Sequence, residues 1–177
     1  GCDIGLRPID LHLSGLKKLG VEIVEDGGYI HCSVDRLKGA EVVLDFPSVG
    51  ATENIILAAV MAKGSTRIEN AAKEPEIEDL QAFLCAMGAQ VKGAGTSVIR
   101  IVGGSKLHPA EHTVIGDRME AATYLCAVGA AGGCISLSGV DCRHLSSFLS
   151  VMEGAGADIH ADEKSISAAC SAPLCGV

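Results

Sequence analysis

Tryptophan is absent from the 177 residues, and only 2 Tyr and 3 Phe are present. A core of this composition is built from aliphatic side chains and close contacts over glycine and alanine, not from rings. The scarcity of rings also removes the stacking platforms that hold single-stranded nucleic acids. Positive charge is in deficit. Lys+Arg number 14 against 22 Asp+Glu, a formal net charge of -8, and no basic patch suited to a phosphate backbone is visible. Long apolar runs are missing too. The longest, from Ile55 to Ala62, falls far short of the ~20 residues of a membrane span. Nucleic acid and membrane are therefore not expected as partners. There is no CxxC pair, no GxxxxGK[ST] loop and no dinucleotide fingerprint; Gly93-Ala94-Gly95 reads as a hairpin turn. No early methionine is found either. The first is Met61 and the chain opens Gly1-Cys2 as if in mid-sequence, so a fragment or a processed form is expected.

The residues that are present define a compact α/β chain. A length of 177 suits one domain or one and a fraction, with a core that needs no staples. The eight cysteines follow no framework and no secretory signal is visible, so free thiols in a cytoplasmic protein are expected. Cys85 and Cys126 lie in apolar helical patterns, where small buried hydrophobes are expected. His108 and His112 flank Pro109, and Cys142 and His144 have no second ligand pair. No metal site and no cofactor is expected.

The chain repeats itself. Leu19-Gly20-Val21-Glu22-Ile23 recurs as Met87-Gly88-Ala89-Gln90-Val91 and as Ala155-Gly156-Ala157-Asp158-Ile159, 68 residues apart each time. Each copy closes an amphipathic stretch with a glycine and opens an alternating one, the signature of helix, left-handed cap and strand. A period this long matches a whole α/β subdomain rather than a solenoid repeat. The pattern predicts strand 40–45, helix 51–62, strand 65–70, helix 75–88 and strands 89–92 and 96–102, in the order βαβαββ. It predicts the same order again in strand 112–115, helix 119–131, strand 134–139, helix 142–156 and strands 157–162 and 165–170. Residues 8–35 supply the second half of an earlier unit. Gly103 to Pro109 is the expected linker.

Three clusters carry polar chemistry. In Gly1-Cys2-Asp3-Ile4-Gly5-Leu6-Arg7-Pro8-Ile9-Asp10-Leu11-His12, a glycine-flanked thiol precedes an arginine whose fork suits phosphate or carboxylate. Pro8 is expected to begin a helix, with loop amides facing an anion. The plainer alternative is an ordinary thiol and a surface arginine. In Asp45-Phe46-Pro47-Ser48-Val49-Gly50-Ala51-Thr52-Glu53-Asn54 a strand passes into a helix, giving either a phosphate cradle or a simple cap. Gly116-Asp117-Arg118-Met119-Glu120 holds the corresponding place in the next unit, as a functional turn or as a cap with a local ion pair.

Taken together, these motifs resemble the enolpyruvyl transferase family of peptidoglycan synthesis, the UDP-N-acetylglucosamine 1-carboxyvinyltransferases. The resemblance also runs through Glu69-Asn70-Ala71-Ala72-Lys73-Glu74-Pro75-Glu76-Ile77, Gly93-Ala94-Gly95-Thr96 and Asp117-Arg118-Met119-Glu120-Ala121. It implies an inside-out α/β fold of two domains, each made of three βαβαββ units, of which about two and a half of six are present here. Residues 1–115 would then be the latter part of the catalytic domain, and 116–177 one unit of the other. It implies addition of the 3-hydroxyl of UDP-N-acetylglucosamine to C2 of phosphoenolpyruvate, followed by loss of phosphate, with no cofactor. Cys2 matches the family's catalytic loop cysteine, proton donor and target of fosfomycin. Arg7, Pro8, Ile9, Asp10 and Leu11 match one nucleotide-sugar segment; Phe46, Pro47, Ser48, Val49 and Gly50 match a second. Asp117, Arg118 and Glu120 match positions on the interdomain side. Gly116 replaces the family's usual proline and is expected to loosen its turn. The family's N-terminal Lys-Asn pair and its Pro-Thr-Asp segment with the base are not among these residues, so the remainder of its own chain is an expected partner. Two alternatives stand beside this reading. One is a non-catalytic nucleotide-sugar-binding module on the same repeat. The other is the shikimate-pathway enolpyruvyl transferase, which lacks the cysteine loop.

Overall fold

The computed structural model describes residues 8–176. The chain divides into two compact units, Gly1–His112 and Thr113–Val177. The first contains α1 (Asp10–Lys18), β1 (Glu22–Asp26), β2 (Tyr29–Ser33), β3 (Glu41–Val43), α2 (Val49–Val60), β4 (Gly64–Glu69), α3 (Pro75–Ala86), β5 (Gln90–Lys92) and β6 (Val98–Gly103). From β3 onward the order is βαβαββ, as the period requires. The strands lie in the order β3-β4-β6-β5; β3 runs parallel to β4, and the other pairs are antiparallel. A helical crossover, α2, joins the parallel pair, because two parallel neighbours cannot be linked by a tight turn. β1 and β2 form a separate antiparallel hairpin.

Alternation along the strands sorts this sheet into two faces. Val42, Ile68, Ile99, Ile101 and Val91 point inward and are buried, while Val43 and Val102 on the opposite face are exposed. The inward side packs on α2 through Ile55, Ile56, Ala59 and Val60, and on Leu11, Ile77 and Leu84 of α1 and α3. The contact between α1 and α2 depends on Gly15. A Cβ there would lie 2.4 Å from Cδ1 of Ile55, so a missing side chain allows the two helices to close.

The second unit contains α4 (Arg118–Ala131), β7 (Gly133–Ser138), a 3-10 turn (Cys142–Leu145), α5 (Ser146–Gly154), β8 (Asp158–Asp162) and β9 (Ser165–Cys170). Its antiparallel sheet has the order β7-β9-β8, over a core of Leu125, Leu149, Ile166 and Ala168.

The period has a physical origin. Gly20, Gly88 and Gly156 all take positive φ, 94°, 96° and 104°. Each donates its N–H to the carbonyl three residues back, that of Lys17, Cys85 and Glu153. The next residue donates five back, Val21 to Leu16, Ala89 to Leu84 and Ala157 to Met152. This is one Schellman cap written three times, and it turns each helix directly into its strand.

Several expectations need correction. No strand forms over 112–115. Among the described residues β7 pairs only with β9, so the run joins no ladder, and His112 at its head is instead hydrogen-bonded to Asp79 of α3. α2 begins at Val49 rather than 51, because Ser48 caps it. α1 begins at Asp10, two residues beyond Pro8. Helix 142–156 is divided into the 3-10 turn and α5. Cys85 and Cys126 are exposed, not buried. Each sits one residue beyond a core position, Leu84 and Leu125, and a step of about 100° around a helix carries it off the apolar stripe.

Candidate functional site

Cys2 and Arg7 lie outside the described residues. Of the first cluster, Pro8, Ile9 and Asp10 are exposed, and Leu11 is committed to the core. α1 carries His12 one residue beyond Leu11 and so onto the flank facing α2. There the imidazole lies over Gly50, where a Cβ would come within 3.1 Å of Cε1. Nδ2 of Asn54 and Nδ1 of His12 are hydrogen-bonded at 2.6 Å. The first and second clusters therefore meet in space although 42 residues separate His12 from Asn54.

The second cluster is a strand-to-helix turn. β3 ends, Asp45, Phe46 and Pro47 pass over the surface, and Ser48 caps α2. The Ser48 hydroxyl accepts from the Ala51 N–H at 3.4 Å, and its carbonyl accepts from the Thr52 N–H at 2.9 Å. Phe46 is 56% exposed, a large apolar ring held out on a turn. The early amides of α2 make this the positive end of the helix dipole. Glu53, on the next turn, has its carboxyl pKa raised. Burial is the larger cause and the nearby Glu76 carboxylate the second, while His12 pulls it back down.

The loop after β4 braces this turn. The side-chain amide of Asn70 donates to the Leu44 carbonyl at 2.9 Å, and the Ala72 N–H donates to the buried Thr52 hydroxyl at 3.1 Å. Pro47, Asn70, Ala71, Lys73, Glu74 and Ser97 line a cavity of about 470 Å³ beside it.

The third cluster lies in the other unit. Oδ1 of Asp117 accepts from the N–H groups of Met119 and Glu120, at 2.8 and 3.1 Å, so its carboxylate caps α4. Arg118 is partly buried, and Glu120 is exposed. Gly116 is not a loosened turn. A Cβ at that position would stand 2.1 Å from the Gly139 carbonyl oxygen, so the glycine permits a close backbone approach. Nearby, Arg143 forms a forked pair with Asp141 and holds that carboxyl well below its ordinary range. Among the described residues no group of three or more His, Cys, Asp or Glu is placed to hold a metal. No described helix is long and apolar enough to cross a membrane.

Compared with known proteins, residues 1–174 match the EPSP synthase (3-phosphoshikimate 1-carboxyvinyltransferase) family. The chain belongs to this family. Among curated relatives of this chain, the UDP-N-acetylglucosamine 1-carboxyvinyltransferase 2 of Caldanaerobacter subterraneus subsp. tengcongensis is 54% identical over 97% of the chain. UDP-N-acetylglucosamine 1-carboxyvinyltransferase 1 of Symbiobacterium thermophilum is 57% identical over 90%. The chain spans 41% and 36% of the length of these two proteins. The enolpyruvyl transferase NikO of Streptomyces tendae shares the fold, with a TM-score of 0.81, 21% identity and 95% of this chain and 43% of that one covered. EPSP synthase of Acinetobacter baumannii gives a TM-score of 0.64 at 27% identity, over 92% of this chain and 39% of that one.

The sequence singles out both stretches that meet here in unit 1 but not the residues that join them. His12 and Asn54 stand at the ends of their motifs, and nothing in either motif alone points to the other. Thr52 reads as one more helix-start hydroxyl, yet it is wholly buried and holds the Asn70 loop.

Proposed function

We propose that the whole protein transfers the enolpyruvyl group of phosphoenolpyruvate to the 3-hydroxyl of UDP-N-acetylglucosamine and releases phosphate. The observation that carries this reading is the identity of 52–57% to enzymes named for that reaction, over about nine-tenths of the chain. In the proposed step the 3-hydroxyl gives up its proton to a base from the remainder of the protein as its oxygen bonds to C2 of phosphoenolpyruvate, while an acid passes a proton to the C3 methylene. A proton then leaves C3 as the C2–O bond to phosphate breaks, so the enol is restored as an ether. Cys2 is the proposed acid toward C3, and a thiol tuned by its loop can also act as nucleophile toward C2 once C3 is protonated. Arg7 is the proposed anion partner of that loop. Pro8 to Leu11 and Phe46 to Gly50 are the proposed nucleotide-sugar segments. Their support is the His12–Asn54 bond, which joins α1 to α2, and the amides that the start of α2 offers to a diphosphate.

In this reading residues 1–115 belong to the catalytic domain and 116–177 to the second, with Asp117, Arg118 and Glu120 as supporting residues there. The substrates are small molecules, no cofactor takes part, and the product feeds peptidoglycan and cell-wall synthesis in the cytoplasm.

Phosphate release tests the reading. The full-length protein is supplied with phosphoenolpyruvate and either UDP-N-acetylglucosamine or shikimate 3-phosphate. Release with the nucleotide sugar alone is expected, with none from the 177 residues by themselves. Release with shikimate 3-phosphate alone would contradict it.

A further inference from the structure

The turn that carries Phe46 to Gly50 is anchored in the core by Leu44 and Val49, but its tip has little packing to hold it. Asp45, Phe46 and Pro47 are exposed, and the cavity of about 470 Å³ opens beside Pro47. Its entry is Leu44, whose side chain is buried and whose backbone makes two hydrogen bonds. Its N–H donates to the Glu69 carbonyl at 3.1 Å, and its carbonyl accepts from the Asn70 side-chain amide at 2.9 Å. The exit is fixed by Thr52, whose hydroxyl accepts from the Ala72 N–H. Both ends of the turn are thus tied to one short loop, residues 70–72. That loop is tied in its turn to the Ser97 carbonyl through the Ala71 N–H, at 3.0 Å.

Asn70 has a second peculiarity. Among the described residues it is the one non-glycine with positive φ, 55°. An ordinary side chain resists that conformation, and asparagine tolerates it because its short amide bonds locally. Glycine would take the backbone angle more easily but has no amide to reach Leu44. The presence of asparagine therefore points to the bond and not to the turn alone.

We infer that Asn70 is a positioning residue: its amide, through Leu44, sets the 46–50 turn in the geometry that receives the nucleotide sugar. This rests on the acceptor assignment proposed above. The residue touches no substrate and acts through the backbone of the turn. Its loss weakens capture of the acceptor while the chemistry at phosphoenolpyruvate continues.

The experiment compares Asn70→Gly and Asn70→Asp with the unsubstituted full-length protein. Glycine keeps the left-handed backbone and deletes the amide. Aspartate keeps the shape and the turn preference but faces the Leu44 carbonyl with an acceptor. For both, KM for UDP-N-acetylglucosamine is expected to rise about fivefold, the loss of one net hydrogen bond. The kcat and KM for phosphoenolpyruvate are expected to stay within about twofold, and Tm of the glycine variant to fall modestly, the lost bond being partly offset by relief of the left-handed backbone. A rise in both KM values together, or a fall in Tm with unchanged kinetics, would overturn the inference and reduce Asn70 to a structural residue. Absence of transfer to UDP-N-acetylglucosamine by the unsubstituted protein would overturn the acceptor assignment and this inference with it.

Discussion

Glu53 shows how a single side chain records the crowding at this site. Burial raises its pKa most, the Glu76 carboxylate raises it further, and His12 lowers it. A carboxyl whose folded-state pKa is raised stabilises the fold as the neutral acid. That contribution is complete below the unfolded value of about 4.3 and is lost as pH rises through the higher folded value. Glu53→Gln removes the loss. Its Tm is expected to exceed that of the unsubstituted protein at pH 7, with the gain vanishing near pH 4. A gain that grows toward acid would mean that the carboxylate, not the acid, is the favoured form. At this scale the sequence was legible for type and opaque for direction. Ser48 was readable as a cap because a hydroxyl before an apolar helix has one common use. Cys85 was misread, because one residue's error in helical phase exchanges a buried site for an exposed one.

The three helix-to-strand caps allow a controlled comparison between elements. The same two hydrogen bonds close α1, α3 and α5, and the same glycine angle permits them. Their surroundings differ. A Cβ at Gly156 would meet nothing within 4 Å, whereas one at Gly88 would stand 3.2 Å from the His108 ring. Gly156→Ala is expected to lower unfolding stability by the backbone cost alone, about 1–2 kcal/mol. Gly88→Ala is expected to cost more, since His108 must also move. Denaturant titration reads the difference, and equal losses would show that the histidine contact carries no weight. The helix, glycine and strand order was legible in all three copies because the cap is local chemistry. The strand expected over 112–115 was not, because a strand needs a partner along the ladder and, among the described residues, β7 pairs only with β9, while His112 is bound to Asp79, 33 positions away. Local pattern reports propensity, and a distant partner overrides it.

At the scale of the whole molecule, the repeat and the site are one design. The crossover from β3 through α2 to β4 leaves the strand ends and the start of α2 on the same side, where an open α/β sheet presents its ligand turns. α1, from the half unit before, brings His12 to that place. The 68-residue period announced the repetition of βαβαββ, but no period states which loop of one copy will touch which helix of another. The meeting of residues 8–12 with 46–54 is a property of packing between copies, and only the folded chain displays it.

The central claim is that these two stretches receive the nucleotide sugar. Amide hydrogen exchange on the full-length protein, with and without UDP-N-acetylglucosamine, tests it most directly. Slowed exchange is expected in peptides covering 8–12 and 46–54, and none with shikimate 3-phosphate in its place. Protection confined to other parts of the protein, with both stretches exchanging as before, would contradict the account.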